Sequence, residues 1–180
     1  MAVIKRSDEV VKLMEEANQL SGEKDYAGAL AKCNEIIKLM PNDNDTYLWR
    51  TGSEFPAPYA KRAGYYQELG EHEKALADFN KAISIEPKAA YIYKARAVLN
   101  IELGEMEEAR ADFEKSVELG NSDEAGQAYF SFAQQVLNFT GNKKEAAVYF
   151  KKCVEIGVKL GKQGNWPFST AKDKLAEWKM

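Results

Sequence analysis

Two cysteines and a single histidine are all the thiol and imidazole side chains that the 180-residue chain holds. Cys33 and Cys153 show no CxxC spacing, so neither a disulfide framework nor a zinc site is expected. Each falls on an apolar helical position, where a thiol acts as a small hydrophobe, and a reducing compartment is compatible. His72 sits between Glu71 and Glu73 with no partner at metal-ligand or general-base spacing, and is expected to face solvent. No apolar run approaches the ~18 residues that cross a bilayer. The opening MAVIKRSDEVVKLMEE has no apolar signal region and reads as an amphipathic helix. A soluble, cytoplasmic protein without membrane association is the expectation. Charge of one sign is scarce as well: 25 Lys and Arg against 28 Asp and Glu leave a net charge of -3, so no nucleic-acid partner is expected.

Short motifs with catalytic associations are also incomplete. Ser169-Thr-Ala-Lys172 matches an S-x-x-K element, but the S-D-N and K-T-G elements that accompany it in serine acyl-enzymes are absent. Gly157 to Lys162 is one residue short of a phosphate loop and follows a helix, not a strand. Asn138-Phe-Thr140 is a glycosylation sequon that matters only in a secreted chain. Adjacent acids such as Glu15-Glu16 and Glu107-Glu108 point to different sides of a helix. No enzyme activity and no cofactor are expected.

What is present is a repeat. Tyr59 to Ile83 and Tyr93 to Val117 both fit Y-x2-R-A-x4-E-L-G-E-x-E-x-A-x-A-D-F-x-K, with Ala75 and Ala109 34 residues apart. Gly70 and Gly104 mark turns that need a left-handed backbone, so each copy reads as a helix–turn–helix hairpin. Ala63, Ala75, Ala97 and Ala109 mark close helix approach, and Tyr59, Tyr66, Phe79, Tyr93 and Phe113 are expected to fill the space between hairpins. With apolar residues at 45%, the chain has enough to bury a core.

This pattern resembles the tetratricopeptide repeat family over essentially the whole chain. The resemblance implies an all-α fold, a right-handed superhelical solenoid of about four helix–turn–helix repeats with a C-terminal capping helix. Repeats are placed at about 7–41, 57–87, 90–121 and 124–158 within a single domain 1–180, with an insertion at 42–56 and the cap at 169–180. In repeat one, Ser7 and Asp25 are the expected helix caps and Pro41 the stop, while Lys24 stands where the later copies have Gly. The insertion carries Tyr47, Trp49 and Phe55. It reads as a short helix, about Asp45 to Gly52, before a Pro-rich turn, or as one long helix kinked at Pro56 and Pro58. Asp123 is the expected cap of repeat four, in which Tyr129, Phe132, Ala133 and Val136 take the signature slots. Ser169 is the expected cap of the last helix, with Ala171, Leu175 and Trp178 forming its apolar stripe.

The resemblance also implies a function: such proteins bind a peptide or helix of a partner protein in a concave groove lined by the first helices. Slots that line it fall here on Met14, Glu15 and Asn18, on Lys61, Gly64, Gln67 and Glu68, on Tyr91, Lys94, Val98 and Glu102, and on Gln127, Phe130, Ser131 and Gln134. Asn18, Lys61, Gln67, Tyr91, Lys94, Phe130 and Gln134 are the candidate contacts. The carboxylate clamp of co-chaperones would occupy Met14, Asn18, Lys61, Tyr91 and Ala95, and only Asn18 matches. That speaks against the acidic tails of heat-shock chaperones. An adaptor or scaffold is expected; the alternative is self-assembly through the insertion or the solenoid ends.

Overall fold

The computed structural model describes residues 2–39, 58–120, 122–162 and 164–180, and among them every regular element is a helix. The chain forms two compact units, Met1–Pro87 and Lys88–Met180. In the first, α1 (Ala2–Gly22) pairs with α2 (Tyr26–Leu39) and α3 (Pro58–Glu68) with α4 (His72–Ile85), while α2 lies against α3. In the second, α5 (Ala90–Leu103) pairs with α6 (Met106–Leu119) and α7 (Ser122–Thr140) with α8 (Lys143–Lys159). The last helix, α9 (Phe168–Glu177), packs on α8 and touches α7. The insertion 42–56, with Tyr47, Trp49 and Phe55, and the stop at Pro41 lie outside the described residues.

The turns share one backbone solution. Gly70 and Gly104 take φ of 74° and 81°, each closing the preceding helix with a short and a long return bond to its last turn. Lys24 breaks the sequence pattern but not the geometry. Its φ is 63°, and the amides of Lys24 and Asp25 donate to the carbonyls of Ser21 and Leu20 as those of Gly104 and Glu105 do to Ile101 and Asn100. A Cβ in this conformation costs about 1 kcal/mol. Asp25 then caps α2, accepting from the Gly28 amide at 2.9 Å. A Cβ at position 28 would lie 2.4 Å from the other oxygen of that carboxylate, which explains the glycine.

Three expected caps are corrected. Ser7 lies inside α1, because Ala2 to Arg6 contain no breaker and the helix extends through them. Asp123 lies in the first turn of α7, which starts at Ser122. Ser169 is the second residue of α9. The chain is already helical ahead of it, with Ser169 donating to the Asn165 carbonyl and Ala171 to the Pro167 carbonyl.

At one equivalent position, three of the four hairpins carry a charged cross-link between their helices. In repeat two Arg62 binds both carboxylate oxygens of Asp78, at 2.6 and 2.7 Å. In repeat three Arg96 grips Asp112 the same way, at 2.7 and 2.6 Å. Repeat one has the opposite order of charge, with Glu16 on the first helix and Lys32 on the second, 2.8 Å apart. Repeat four has no charge there: Phe132 and Tyr149 meet edge to face at 4.7 Å, and Phe113 of repeat three stacks on Phe132 at 4.2 Å. The Arg and Asp of the repeated string thus tie a hairpin together. Arg62 also donates to Asn34 of α2 at 2.6 Å, joining repeats one and two.

The cores follow the small-residue positions. Ala63, Ala75, Ala97 and Ala109 are fully buried, as are Phe79, Phe113, Cys33 and Cys153. Tyr59, Tyr66 and Tyr93 are only half-buried. Tyr59 and Tyr66 flank the Arg62 guanidinium, at 5.5 and 5.7 Å. It is Tyr65 that enters the first hairpin, packing with Ala17, Ala29 and Cys33 and donating to the Ala17 carbonyl at 3.3 Å. The last helix is held by Phe168, whose ring occupies space left by Gly126 of α7 and Gly157 of α8. A Cβ at either glycine would come within 2.4 or 2.5 Å of that ring. Ala171 and Leu175 continue the buried stripe, and Trp178 meets Phe150 at 5.7 Å.

Candidate functional site

Alternation of buried and exposed turns along the first helix of each hairpin decides which candidate residues reach solvent. In the first unit Asn18 is exposed on α1, and Lys61 and Gln67 are half-buried on α3. The Lys61 ammonium lies 6.0 Å from the Tyr65 ring centre. Met14, expected to line the groove, is instead core: it is 0% exposed and packs with Val10, Leu13 and Ile36. The face of α1 turned to α2 includes it, because positions 10, 13, 14 and 17 fall on one side at helical spacing.

In the second unit, Tyr91 and Lys94 are exposed on α5, Tyr91 by 43%. Together with Gln127 of α7 they border a cavity of about 190 Å³ between α5, α6 and α7. Its remaining wall is small: Ala90, Ser116, Val117, Gly120, Ala125 and Ala128. The Ser116 hydroxyl donates to the Phe113 carbonyl at 2.7 Å, so it is already engaged by the protein. Among the described residues Lys94 makes no ion pair, whereas the guanidiniums of Arg62 and Arg96 are held by aspartates. Those aspartates push both guanidinium pKa values up, and each ties its arginine to the facing helix of the same hairpin.

Phe130 and Gln134 follow Gln127 along α7 and are half-buried. Phe130 meets Phe150 at 5.4 Å and Trp166 at 5.8 Å, both edge to face. Trp166 is 63% exposed and precedes the buried Pro167 and Phe168. Sequence reasoning missed Trp166 and Phe168. They lie between the expected end of α8 and the expected cap at Ser169, and the signal was an aromatic–Pro–aromatic triplet directly before a helix.

The chemistry on offer is contact and charge pairing. Among the described residues no cluster of three metal-ligating side chains occurs. No helix among them is long and apolar enough to cross a membrane. His72 is not solvent-facing as expected: it is half-buried at the start of α4, and its Nδ1 is sealed from water without a hydrogen-bond partner. Burial pushes the Cys33 and Cys153 thiols up to about 12, which keeps them protonated and unreactive.

A family model described as tetratricopeptide repeat matches residues 57–89, 90–123 and 126–156. Sperm-associated antigen 1 of Rattus norvegicus is 37% identical over 76 residues, 42% of this chain and 7% of that protein. Small glutamine-rich tetratricopeptide repeat-containing protein 2 of Mycosarcoma maydis is 28% identical over 81 residues, 45% of this chain and 20% of that protein. The matched stretch is thus a small part of either curated relative. Among solved structures, YrrB, described as a TPR protein with an unusual peptide-binding site, superposes with a TM-score of 0.50 at 15% identity, covering 97% of this chain and 96% of that one. MamA covers 89% of this chain and 97% of its own, with a TM-score of 0.49 at 18% identity.

Proposed function

The chain belongs to the tetratricopeptide repeat family, a family of protein-interaction modules, and on that premise we propose that it is a non-enzymatic adaptor that holds a segment of a partner protein. The contacts proposed are Asn18, Lys61 and Gln67 in the first unit and Tyr91, Lys94, Phe130 and Gln134 in the second. The observation that carries this reading is the surface of the second unit. An exposed tyrosine, an ammonium without an ion pair among the described residues and a glutamine border one apolar cavity, and Phe130, Gln134 and the exposed Trp166 lie beyond it. Amide side chains satisfy peptide groups, and aromatic faces cover apolar side chains. YrrB's peptide-binding site gives the same reading support by analogy of fold. Two unpaired buried thiols suit a reducing compartment, and we take the cytoplasm as the site of action.

The test is the double substitution Lys61→Glu with Lys94→Glu. Proteins retained by the wild-type chain from its native lysate are identified by mass spectrometry, and the purified partner is titrated against both chains. Affinity should fall at least fivefold while the helical circular-dichroism spectrum stays unchanged. Equal affinity with an intact spectrum removes these lysines from the contact surface.

A further inference from the structure

We propose that the cavity between α5, α6 and α7 is an anchor for an acidic–aliphatic pair in the partner: one aliphatic side chain enters it while a neighbouring Asp or Glu side chain meets Lys94. This deepens the adaptor reading and rests on it. Size decides the first half. A volume of about 190 Å³ is below the ~300–1,000 Å³ of sites that engulf a whole small molecule, so the occupant is one side chain of a longer ligand. The wall decides the polarity: away from Tyr91, Lys94 and Gln127 at its border it is mostly Ala and Val, and the Ser116 hydroxyl is already donated to the Phe113 carbonyl. A branched aliphatic chain fits there without leaving a polar group unpaired.

Charge decides the second half. Lys94 is exposed at the rim and makes no ion pair among the described residues, so a carboxylate is its natural complement. The ligand passes through the site as an internal segment, because the surface continues beyond the cavity. Gln127, Phe130 and Gln134 recur on one face of α7 over about 10 Å. Trp166 meets Phe130 edge to face within that stretch. About three extended residues span that distance.

Capped dipeptides test the anchor directly, read as amide chemical-shift changes on the isotopically labelled full chain. Acetyl-Leu-Glu-amide should shift Tyr91, Lys94, Gly120 and Ala125 to Ala128. Acetyl-Leu-Gln-amide should bind there roughly two- to fivefold more weakly, the range of an exposed ion pair. Acetyl-Gly-Glu-amide should leave the cavity amides unmoved. Lys94→Gln should erase the Glu–Gln difference, and Ala128→Met, which fills the cavity, should abolish the Leu-dependent shifts. Equal binding of the Glu and Gln peptides, shifts centred elsewhere, or no shift at tens of millimolar peptide would each overturn the proposal. So would acetyl-leucine with a free carboxylate binding ten times more tightly than acetyl-Leu-Glu-amide, since the occupant would then be a chain terminus. Partner affinity lost in the lysine double variant alongside indifferent dipeptides sinks the anchor alone; a partner indifferent to that variant sinks the wider surface.

Discussion

Asp112→Ala tests the cross-link that recurs in the hairpins. Asp112 is 9% exposed at its side chain and receives two bonds from Arg96, which is 22% exposed. It also accepts from Asn100 Nδ2 at 3.3 Å. Removing the carboxylate takes both of these bonds from a mostly buried guanidinium. Breaking a fully buried ion pair costs about 3–5 kcal/mol, and water reaching the exposed part of Arg96 lowers that to about 2–3 kcal/mol. The chain itself suggests the rescue. Repeat four has Phe132 and Tyr149 at the equivalent positions, so Arg96→Phe with Asp112→Tyr should return to within about 1 kcal/mol of wild type. Repeat one has the charges exchanged, so Arg96→Glu with Asp112→Lys should recover more than half of what either single change loses. Urea unfolding followed at 222 nm gives each value. The reasoning fails if Asp112→Ala loses under 0.5 kcal/mol, or if the aromatic double change loses as much as the two single changes added.

Lys24→Gly should stabilise the chain by about 1 kcal/mol, because glycine takes φ of 63° without the Cβ clash. A thermal melt checks it, and an unchanged or lower midpoint counts against the turn assignment. The thiols give a pH prediction. Unfolded thiols ionise near 9, whereas burial pushes Cys33 and Cys153 up to about 12. The folded pKa is the higher one, so this contribution is whole below pH 9 and is lost as pH rises toward 12. Urea midpoints should therefore fall across that window, less so in Cys33→Ala or Cys153→Ala. At pH 8 neither thiol should react with a disulfide reagent until urea is added. Because one cysteine lies in each unit, single variants report the opening of one unit at a time.

Local rules were legible in the residues. The 34-residue spacing, the turn glycines and the alanine pairs placed the hairpins of repeats two and three, because a helix needs its small and apolar residues at fixed intervals whatever surrounds it. The Asp25 cap was legible for the same reason. Caps at Ser7, Asp123 and Ser169 were not. Many sequences permit a start at several adjacent residues, and packing chooses among them. Met14 and Tyr65 show the same limit: periodicity says that two neighbouring residues flank a helix edge, but only the facing helix decides which one is covered.

The amino-acid order alone thus determined the repeat, its all-helical form and its family, since these rest on contacts between residues close along the chain. Tertiary structure decided what distant residues do to each other. It placed Phe168 against two glycines from different helices, paired Arg96 with Asp112, and opened an apolar cavity beside Lys94. Those arrangements depend on how helices are set against one another in space, and residue spacing carries no measure of that.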